Sequence, residues 1–193
     1  MLMGNPQAKV KIVEFGSMSC SHCADFSKEG EPKLVDQYVK NGNVSYEFRN
    51  FVRDPLDISA SLIARCAGAN PQFFALTNGI YADQTSFFER LQAVPEQQLS
   101  ALQQMTPAQQ AAKMAEYTGL QEWAAQRGLP SGKSSQCLGN QAEIERLVQM
   151  VSEASSQYTI EGTPTFVLNG EVVPIEVGTP TWTQLEAAIK KAL

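Results

Sequence analysis

The chain has 193 residues, of which 43% are hydrophobic and 18% are charged. This balance excludes disordered and fibrous proteins, and the length fits one compact domain or one domain with an insertion. The formal net charge of -5 argues against a nucleic-acid binder, because such proteins carry a basic stripe. Residues 1–6 contain neither a basic region nor an apolar core, so we expect a cytosolic protein or one whose signal peptide has been removed.

The first predicted elements are two strands joined by a helix. Residues 9–16 alternate and are rich in Val, Ile and Phe, which predicts a strand. Cys20-Ser21-His22-Cys23 then opens a helix that continues to about Tyr38, with a break or kink at Gly30-Glu31-Pro32. Residues 44–52 alternate again and predict a second strand. This order implies two parallel strands with a right-handed connection.

A long helical block follows the second predicted strand. Asp54-Pro55 is typical of a helix start, with the acid as cap and the proline in the first turn. Residues 55 to about 157 are rich in Ala, Gln, Leu and Glu, show almost no strand pattern, and are interrupted by Gly and Pro. We therefore predict several short helices in this block.

The end of the chain returns to a mixed pattern. Residues 163–168 predict a strand, and Asn169-Gly170 between two apolar runs is the strongest short signal for a hairpin. Residues 182–193 have apolar positions at helical spacing and two lysines near their end, which predicts an amphipathic helix. We thus expect an α/β fold with a discontinuous domain, 1–53 and 158–193, and an inserted helical domain, 54–157.

The four cysteines, Cys20, Cys23, Cys66 and Cys137, are too sparse for a small disulfide scaffold. A structural zinc site usually needs two close pairs, or one pair plus a histidine pair. The chain has one close pair and a single histidine, His22, which lies inside that pair. We therefore expect no metal site, and no motif indicates a cofactor.

The spacing of Cys20 and Cys23 favours redox chemistry. Residues three apart lie on one face of a helix, and unpaired N–H groups and the dipole at a helix N-terminus favour a thiolate. Together with His22, these effects should lower the pKa of Cys20, and a stabilised thiolate makes the disulfide a stronger oxidant. We expect a solvent-exposed Cys20 to be the nucleophile and Cys23 to resolve mixed disulfides. A chance pair of buried cysteines is the alternative, and the position after a strand disfavours it.

The segment from Glu14 to Cys23 resembles the active-site segment of DsbA-type thiol:disulfide oxidoreductases, which belong to the thioredoxin-like superfamily. The order and lengths of the predicted elements match that family over nearly the whole chain. The resemblance implies a thioredoxin-like fold with an inserted all-helical domain. It also implies that Glu14 is buried beneath the disulfide and accepts a proton near Cys23. The alternative is an ordinary strand glutamate that faces solvent.

Gly162-Thr163-Pro164-Thr165-Phe166 matches the cis-proline loop of the same family. The resemblance implies that Pro164 is cis and faces the disulfide, while Thr163 offers backbone groups to an extended peptide. The Thr163 hydroxyl could also touch a cysteine sulfur. A trans proline that opens a strand is the alternative. The candidates for substrate contact are Met18, Ser21, Thr163 and Pro164.

Cys66 and Cys137 both lie in the helical block, Cys66 near a helix end and Cys137 in a Ser/Gly-rich joint. They are either two buried free thiols or a structural disulfide that joins two parts of the insertion. We favour the disulfide, which an oxidising compartment would form and which would argue for export.

The resemblance implies a periplasmic, monomeric dithiol oxidase that passes its Cys20–Cys23 disulfide to unfolded or reduced exported proteins. A membrane quinone reductase of the DsbB type would reoxidise it. A disulfide isomerase or reductase with the same site is the alternative enzyme. No dimerisation segment is evident before the first strand, which disfavours dimeric isomerases, whereas Thr163 departs from the valine of some strong oxidases. A holdase chaperone or metal-binding module is the alternative outside enzymes, and its activity would not depend on Cys20.

Overall fold

The computed structural model describes residues 1–176 and 178–193. The strands are β1 (Leu2–Gly4), β2 (Val10–Gly16), β3 (Val44–Asn50), β4 (Thr165–Leu168) and β5 (Glu171–Val172). The helices are α1 (Ser21–Glu29), α2 (Glu31–Leu34), α3 (Pro55–Arg65), α4 (Pro71–Ala82), α5 (Gln84–Gln92), α6 (Glu96–Ala101), α7 (Pro107–Thr118), α8 (Leu120–Ala125), α9 (Ser131–Leu138), α10 (Gln141–Gln157) and α11 (Thr181–Ala192). A π-helical turn, Val35–Val39, follows α2, and a 3₁₀ turn, Leu102–Gln104, follows α6.

The strands form one mixed sheet in the order β1-β3-β2-β4-β5. Strands β2 and β3 are parallel, from the pair Val10 and Val44 to the pair Gly16 and Asn50. Strand β4 is antiparallel to β2 on its other side. Strand β2 is therefore paired along both edges. The predicted strand-helix-strand unit is confirmed, and so is the predicted α/β class.

Strand β1 is an element that the sequence analysis missed. It pairs antiparallel with β3, with Leu2 opposite Glu47 and Gly4 opposite Ser45. The strand has only three residues, and Leu2 is exposed. A segment this short shows no alternation, so only its partner β3 makes it a strand.

The hairpin formed by β4 and β5 has the predicted two-residue turn. Val167 pairs with Val172, and Leu168 pairs with Glu171. Asn169 and Gly170 between them have φ values of 49° and 93°. Both positions need positive φ in the turn that matches strand twist, which explains why Asn-Gly occupies it.

The break between α1 and α2 occurs at Gly30, as predicted. A Cβ atom at this position would lie 2.4 Å from Cε2 of Phe26. The Phe26 ring in turn contacts Phe166 of β4 edge to face, with ring centroids 4.6 Å apart. The absence of a side chain at Gly30 thus leaves room for the Phe26 ring to pack against the sheet.

The chain divides into two compact units, one formed by Met1–Phe51 with Met150–Leu193 and the other by Val52–Gln149. The second division falls inside α10, earlier than the predicted division at residues 157 and 158. The reason is that Ala154 on α10 belongs to the core cluster of the first unit, with Phe15 and Val167.

The second unit is helical, and some of its helices begin at a side-chain cap. The Asp54 side chain accepts a hydrogen bond from the Asp57 backbone N–H at 2.9 Å, at the start of α3. Thr106 and Gln109 form a reciprocal capping box at the start of α7. Among the described residues, no helix is both long and apolar enough to cross a membrane.

A disulfide joins Cys66 and Cys137 in the second unit, with Cα atoms 5.8 Å apart. Cys66 caps the C-terminus of α3. Cys137 lies in α9, so the expectation that it sits in a joint was wrong. The Ser/Gly composition was misleading there because Pro130, directly before the first residue of α9, supports a helix start.

Replacing Cys66 and Cys137 with alanine should lower the free energy of unfolding. The bond closes a sequence separation of 71 residues, and the loop-closure estimate for such a separation is about 4 kcal/mol. Urea unfolding in oxidising buffer measures the change. In a Cys20→Ser/Cys23→Ser background, a reductant that opens the remaining disulfide should destabilise the protein similarly, and it should not affect the stability of that background once Cys66 and Cys137 are also replaced with alanine. Equal unfolding midpoints for the wild type and the Cys66→Ala/Cys137→Ala variant in oxidising buffer would contradict the estimate.

Candidate functional site

The two cysteines of the predicted redox motif lie at the N-terminus of α1. Cys20 is the N-cap residue, with φ -96° and ψ 123°, and Cys23 lies in the first turn. A turn positions Cys20, because its backbone N–H donates to the Ser17 carbonyl at 3.1 Å. Both residues are in the reduced, thiol form in this structure. The Cys20 sulfur therefore lies where the helix dipole favours negative charge.

Cys20 is less accessible than predicted. It is 4% exposed, and Cys23 is 0% exposed. The expectation of a solvent-exposed Cys20 was thus wrong for this structure, although Cys20 remains the more accessible of the two. The physical reason is the loop before β4, because the Cys20 thiol donates a hydrogen bond to the Thr163 carbonyl at 3.1 Å.

The loop that contacts Cys20 contains a cis peptide bond between Thr163 and Pro164. The Thr165 hydroxyl donates to the Gly162 carbonyl at 2.7 Å and closes the loop. The contact with sulfur is made by the carbonyl of Thr163, whereas we had considered its hydroxyl. That hydroxyl is buried and has no hydrogen-bond partner among the described residues.

Glu14 lies on β2, between β3 and β4, and is 1% exposed. The Tyr46 hydroxyl on β3 donates a hydrogen bond to Glu14 Oε2 at 2.6 Å. Burial raises the pKa of Glu14 to about 8, the Tyr46 hydrogen bond opposes this, and the nearby Glu31 and Cys20 add to it. A carboxyl group with this pKa keeps its proton at neutral pH and can exchange it with a neighbour.

The Cys23 thiol is a neighbour of Glu14. Burial raises the pKa of Cys23 well above its ordinary value, and its hydrogen bond with Cys20 and the nearby Glu14 charge add to the effect. A backbone hydrogen bond with Ser17 acts in the opposite direction. The Cys23 thiolate is thus disfavoured unless a proton acceptor such as Glu14 is at hand.

The remaining predicted site residues differ in their surroundings. The His22 side chain is 80% exposed, with Nδ1 3.8 Å from Asp25 Oδ2. Ser21 is exposed beside it. Met18 is buried, so the expectation that it presents a surface to substrate was wrong. The alternation of apolar residues ends before Met18, and the sequence carried no sign that the turn folds inward.

The sequence analysis missed Tyr46 and Glu31, both of which are buried and act on Glu14. The alternation along 44–52 places Tyr46 on one face of β3, and this pattern could have indicated that Tyr46 is buried. The strand register that brings its hydroxyl to Glu14 is not visible in the sequence. Among the described residues, no group of three or more His, Cys, Asp or Glu side chains could hold a metal ion.

The chain is similar to a family model, to curated proteins and to solved structures. Residues 1–191 match the family model described as Thioredoxin. A Rickettsia felis protein named for protein-disulfide oxidoreductase activity is 26% identical over 193 residues, which cover 100% of this chain and 60% of that protein. The chain thus spans about 60% of the length of this curated relative.

Two crystal structures are similar over almost the whole chain. The protein-disulfide isomerase of Novosphingobium aromaticivorans is 34% identical, with a TM-score of 0.88 and coverage of 98% of this chain and 95% of that one. Alpha-DsbA1 of Wolbachia pipientis is 22% identical, with a TM-score of 0.76 and coverage of 99% and 89%, and it shares the fold. The chain therefore belongs to the thioredoxin family.

Proposed function

We propose that this chain is a dithiol oxidase, which donates a Cys20–Cys23 disulfide to reduced exported proteins as they fold. One observation carries the proposal. Cys20 is the N-cap residue of α1 and its thiol donates to the Thr163 carbonyl of the cis-proline loop, while Cys23 is buried in the first turn near Glu14, whose pKa burial raises to about 8. This arrangement favours a thiolate on the outer sulfur and a proton on the inner one.

In the proposed reaction, a client thiolate attacks Cys20 Sγ and breaks the Cys20–Cys23 bond. The electron pair of that bond goes to Cys23 Sγ, which takes a proton from the Glu14 carboxyl group. The client and Cys20 now share a mixed disulfide. A second client thiolate attacks the client sulfur of that bond and expels Cys20 as a thiolate, so the client leaves with a disulfide and both cysteines are reduced.

The neighbouring residues have separate proposed roles. The helix N-terminus stabilises the Cys20 thiolate, and the exposed His22 adds a positive charge when it is protonated. Thr163 and Pro164 offer an extended client segment a backbone contact of the strand-addition type, and Ser21 borders the same end of α1. Since Met18 is buried, it has no place in this contact.

The reduced protein must be reoxidised, and we propose a membrane quinone reductase of the DsbB type as the partner. We further propose a monomer that acts in the periplasm. The Cys66–Cys137 disulfide supports this location, because such bonds persist in oxidising compartments.

A disulfide isomerase or reductase is the second candidate. It is favoured by the name of the Novosphingobium aromaticivorans structure, a protein-disulfide isomerase that is 34% identical to this chain. Thr163 next to Pro164, where some strong oxidases have valine, points the same way. The two candidates share every reaction step above and differ in the reduction potential of the Cys20–Cys23 couple.

Equilibration with glutathione, followed by alkylation and mass counting of free thiols, measures that potential. A dithiol oxidase should give about -120 mV, an isomerase about -180 mV and a reductase about -270 mV. Either of the lower potentials would overturn the oxidase proposal. The Cys20→Ser/Cys23→Ser variant is the matched control, because any thiols that it exposes come from the Cys66–Cys137 pair. A wild-type pair that never exchanges with glutathione would favour a holdase and overturn the enzyme assignment.

A further inference from the structure

Tyr46 is a fully buried side chain that the reaction described above does not use. It lies on β3 opposite Ile12 of β2, two residues along the register from the pair of Glu14 and Phe48. Its hydroxyl reaches diagonally to Glu14 Oε2 at 2.6 Å. A buried hydrogen bond this short to a carboxyl group constrains the orientation of that group.

Several charged or titratable groups face Glu14 from the surrounding elements. Cys20 and Cys23 face it from α1, and the buried Glu31 faces it from α2. On the β4 side its register partner is the apolar Phe166. Glu31, Cys20 and burial all raise the pKa of Glu14, whereas the Tyr46 hydroxyl lowers it.

The backbone at Gly16 limits where Glu14 can move. A Cβ atom on Gly16 would lie 3.0 Å from Glu14 Oε1 and 2.4 Å from Cε2 of Phe48. One carboxylate oxygen is therefore close to the Gly16 backbone, and the other is held by Tyr46. The carboxyl group has little freedom to rotate.

We propose that Tyr46 is a positioning residue for thiol–disulfide exchange, which holds Glu14 Oε2 and leaves the other oxygen to exchange a proton with Cys23. This inference rests on the proposed function. It adds that Tyr46 sets the pH range in which Glu14 and Cys23 exchange a proton. A neutral hydroxyl is better suited than a cation to hold a carboxyl group that must both keep and release a proton. A buried cation would hold Glu14 ionised, whereas a hydroxyl offsets only part of the effect of burial.

The step that Tyr46 would control is closure of the disulfide. With Cys20 in a mixed disulfide, the Cys23 thiol gives its proton to the Glu14 carboxylate. The Cys23 sulfur attacks Cys20 Sγ, the Cys20–Cys23 bond forms, and the other sulfur leaves as a thiolate. The rate should follow the fraction of Glu14 that is ionised.

A two-phase reaction with dithiobis(nitrobenzoate) tests the inference in the whole chain. Cys20 releases the first nitrothiophenolate and becomes a mixed disulfide, and Cys23 then releases the second as the disulfide closes. Stopped-flow absorbance gives the rate of the second release across a range of pH. In Tyr46→Phe the inflection should move to higher pH, and the rate at pH 7 should fall about tenfold for each pH unit of that movement. The rate at high pH should stay the same.

Tyr38→Phe is a matched control in the same unit. The Tyr38 hydroxyl also donates to a carboxylate, Glu186 Oε1 at 3.0 Å, so this variant loses the same kind of bond elsewhere. Its pH profile should equal that of the wild type. In a Glu14→Gln background, Tyr46→Phe should cause no further change, because the group that it acts on has gone.

Two results would overturn the inference: an inflection in Tyr46→Phe that equals the wild-type one, or slowing by the same factor at every pH. If Tyr46→Phe does not fold, 3-fluorotyrosine at position 46 provides a second test. Its phenol is a stronger donor and should move the inflection to lower pH, and an unmoved inflection would again overturn the inference. A wild-type protein that never releases the second nitrothiophenolate would instead contradict the proposed function.

Discussion

A Cys20→Ser variant should lose disulfide exchange with a reduced client protein down to the uncatalysed rate, and a Cys23→Ser variant should accumulate mixed disulfides with that client. The reason is the order of the two sulfurs along α1. Cys20 lies at the helix N-terminus, where a thiolate is stabilised, and Cys23 is fully buried one turn deeper. Serine at position 20 removes the attacked sulfur, whereas serine at position 23 removes the sulfur that would release the client.

Oxidative refolding of a client with one native disulfide measures turnover, and non-reducing electrophoresis detects the adducts. Cys66→Ala/Cys137→Ala is the control. The disulfide that it removes lies in the helical unit, so its loss should leave turnover intact. Client adducts on Cys23 in the Cys20→Ser variant would reverse the assigned roles. Unchanged turnover in that variant would eliminate the redox proposal altogether and favour a holdase.

Replacing Glu14 with glutamine should stabilise the protein, and the gain should grow with pH. Burial raises the pKa of Glu14 from 4.5 to about 8, so the folded protein holds a proton that the unfolded chain has released. A group with a raised pKa contributes stability below its unfolded pKa and loses it as pH rises towards its folded pKa. The variant should therefore gain about 3 kcal/mol at pH 7 and about 5 kcal/mol above pH 8, with no gain below pH 4.

Urea unfolding of the reduced proteins at several pH values measures this gain. Glutamine keeps an acceptor for the Tyr46 hydroxyl, so the exchange removes the charge and little else. Glu29→Gln on the exposed side of α1 is the matched control and should change stability by less than about 0.5 kcal/mol at every pH. Parallel pH profiles for wild type and Glu14→Gln would show that Glu14 does not titrate near pH 8.

The raised pKa of Glu14 lowers the stability of the folded protein, but the proposed reaction depends on it. A carboxyl group with an ordinary pKa would be ionised at neutral pH and could not give a proton to the Cys23 sulfur. Burial on the central strand β2 raises the pKa of Glu14 and so favours its protonated form, and the folded protein loses stability as a result. Active sites often carry such a cost, because function requires groups in environments that a stable core would exclude.

The sequence alone predicted the order of the main elements from β2 onwards and the location of the Cys20–Cys23 pair. The alternation along residues 9–16 and 44–52, the break at Gly30 and the Asn169-Gly170 turn are local patterns, and each specifies its own short segment. The spacing of Cys20 and Cys23 at a helix start is equally local, so a redox role for the pair could be predicted without the structure.

Only the tertiary structure decided which side chains meet. Strand β1 exists because β3 is available to pair with it. The burial of Cys20 depends on the Thr163 carbonyl, which lies 143 residues away along the chain. Tyr46 reaches Glu14 through the register between β2 and β3. Local patterns fix how each segment folds and which face it buries, but register and packing between distant segments choose the partner of each buried group, and those depend on the whole chain at once.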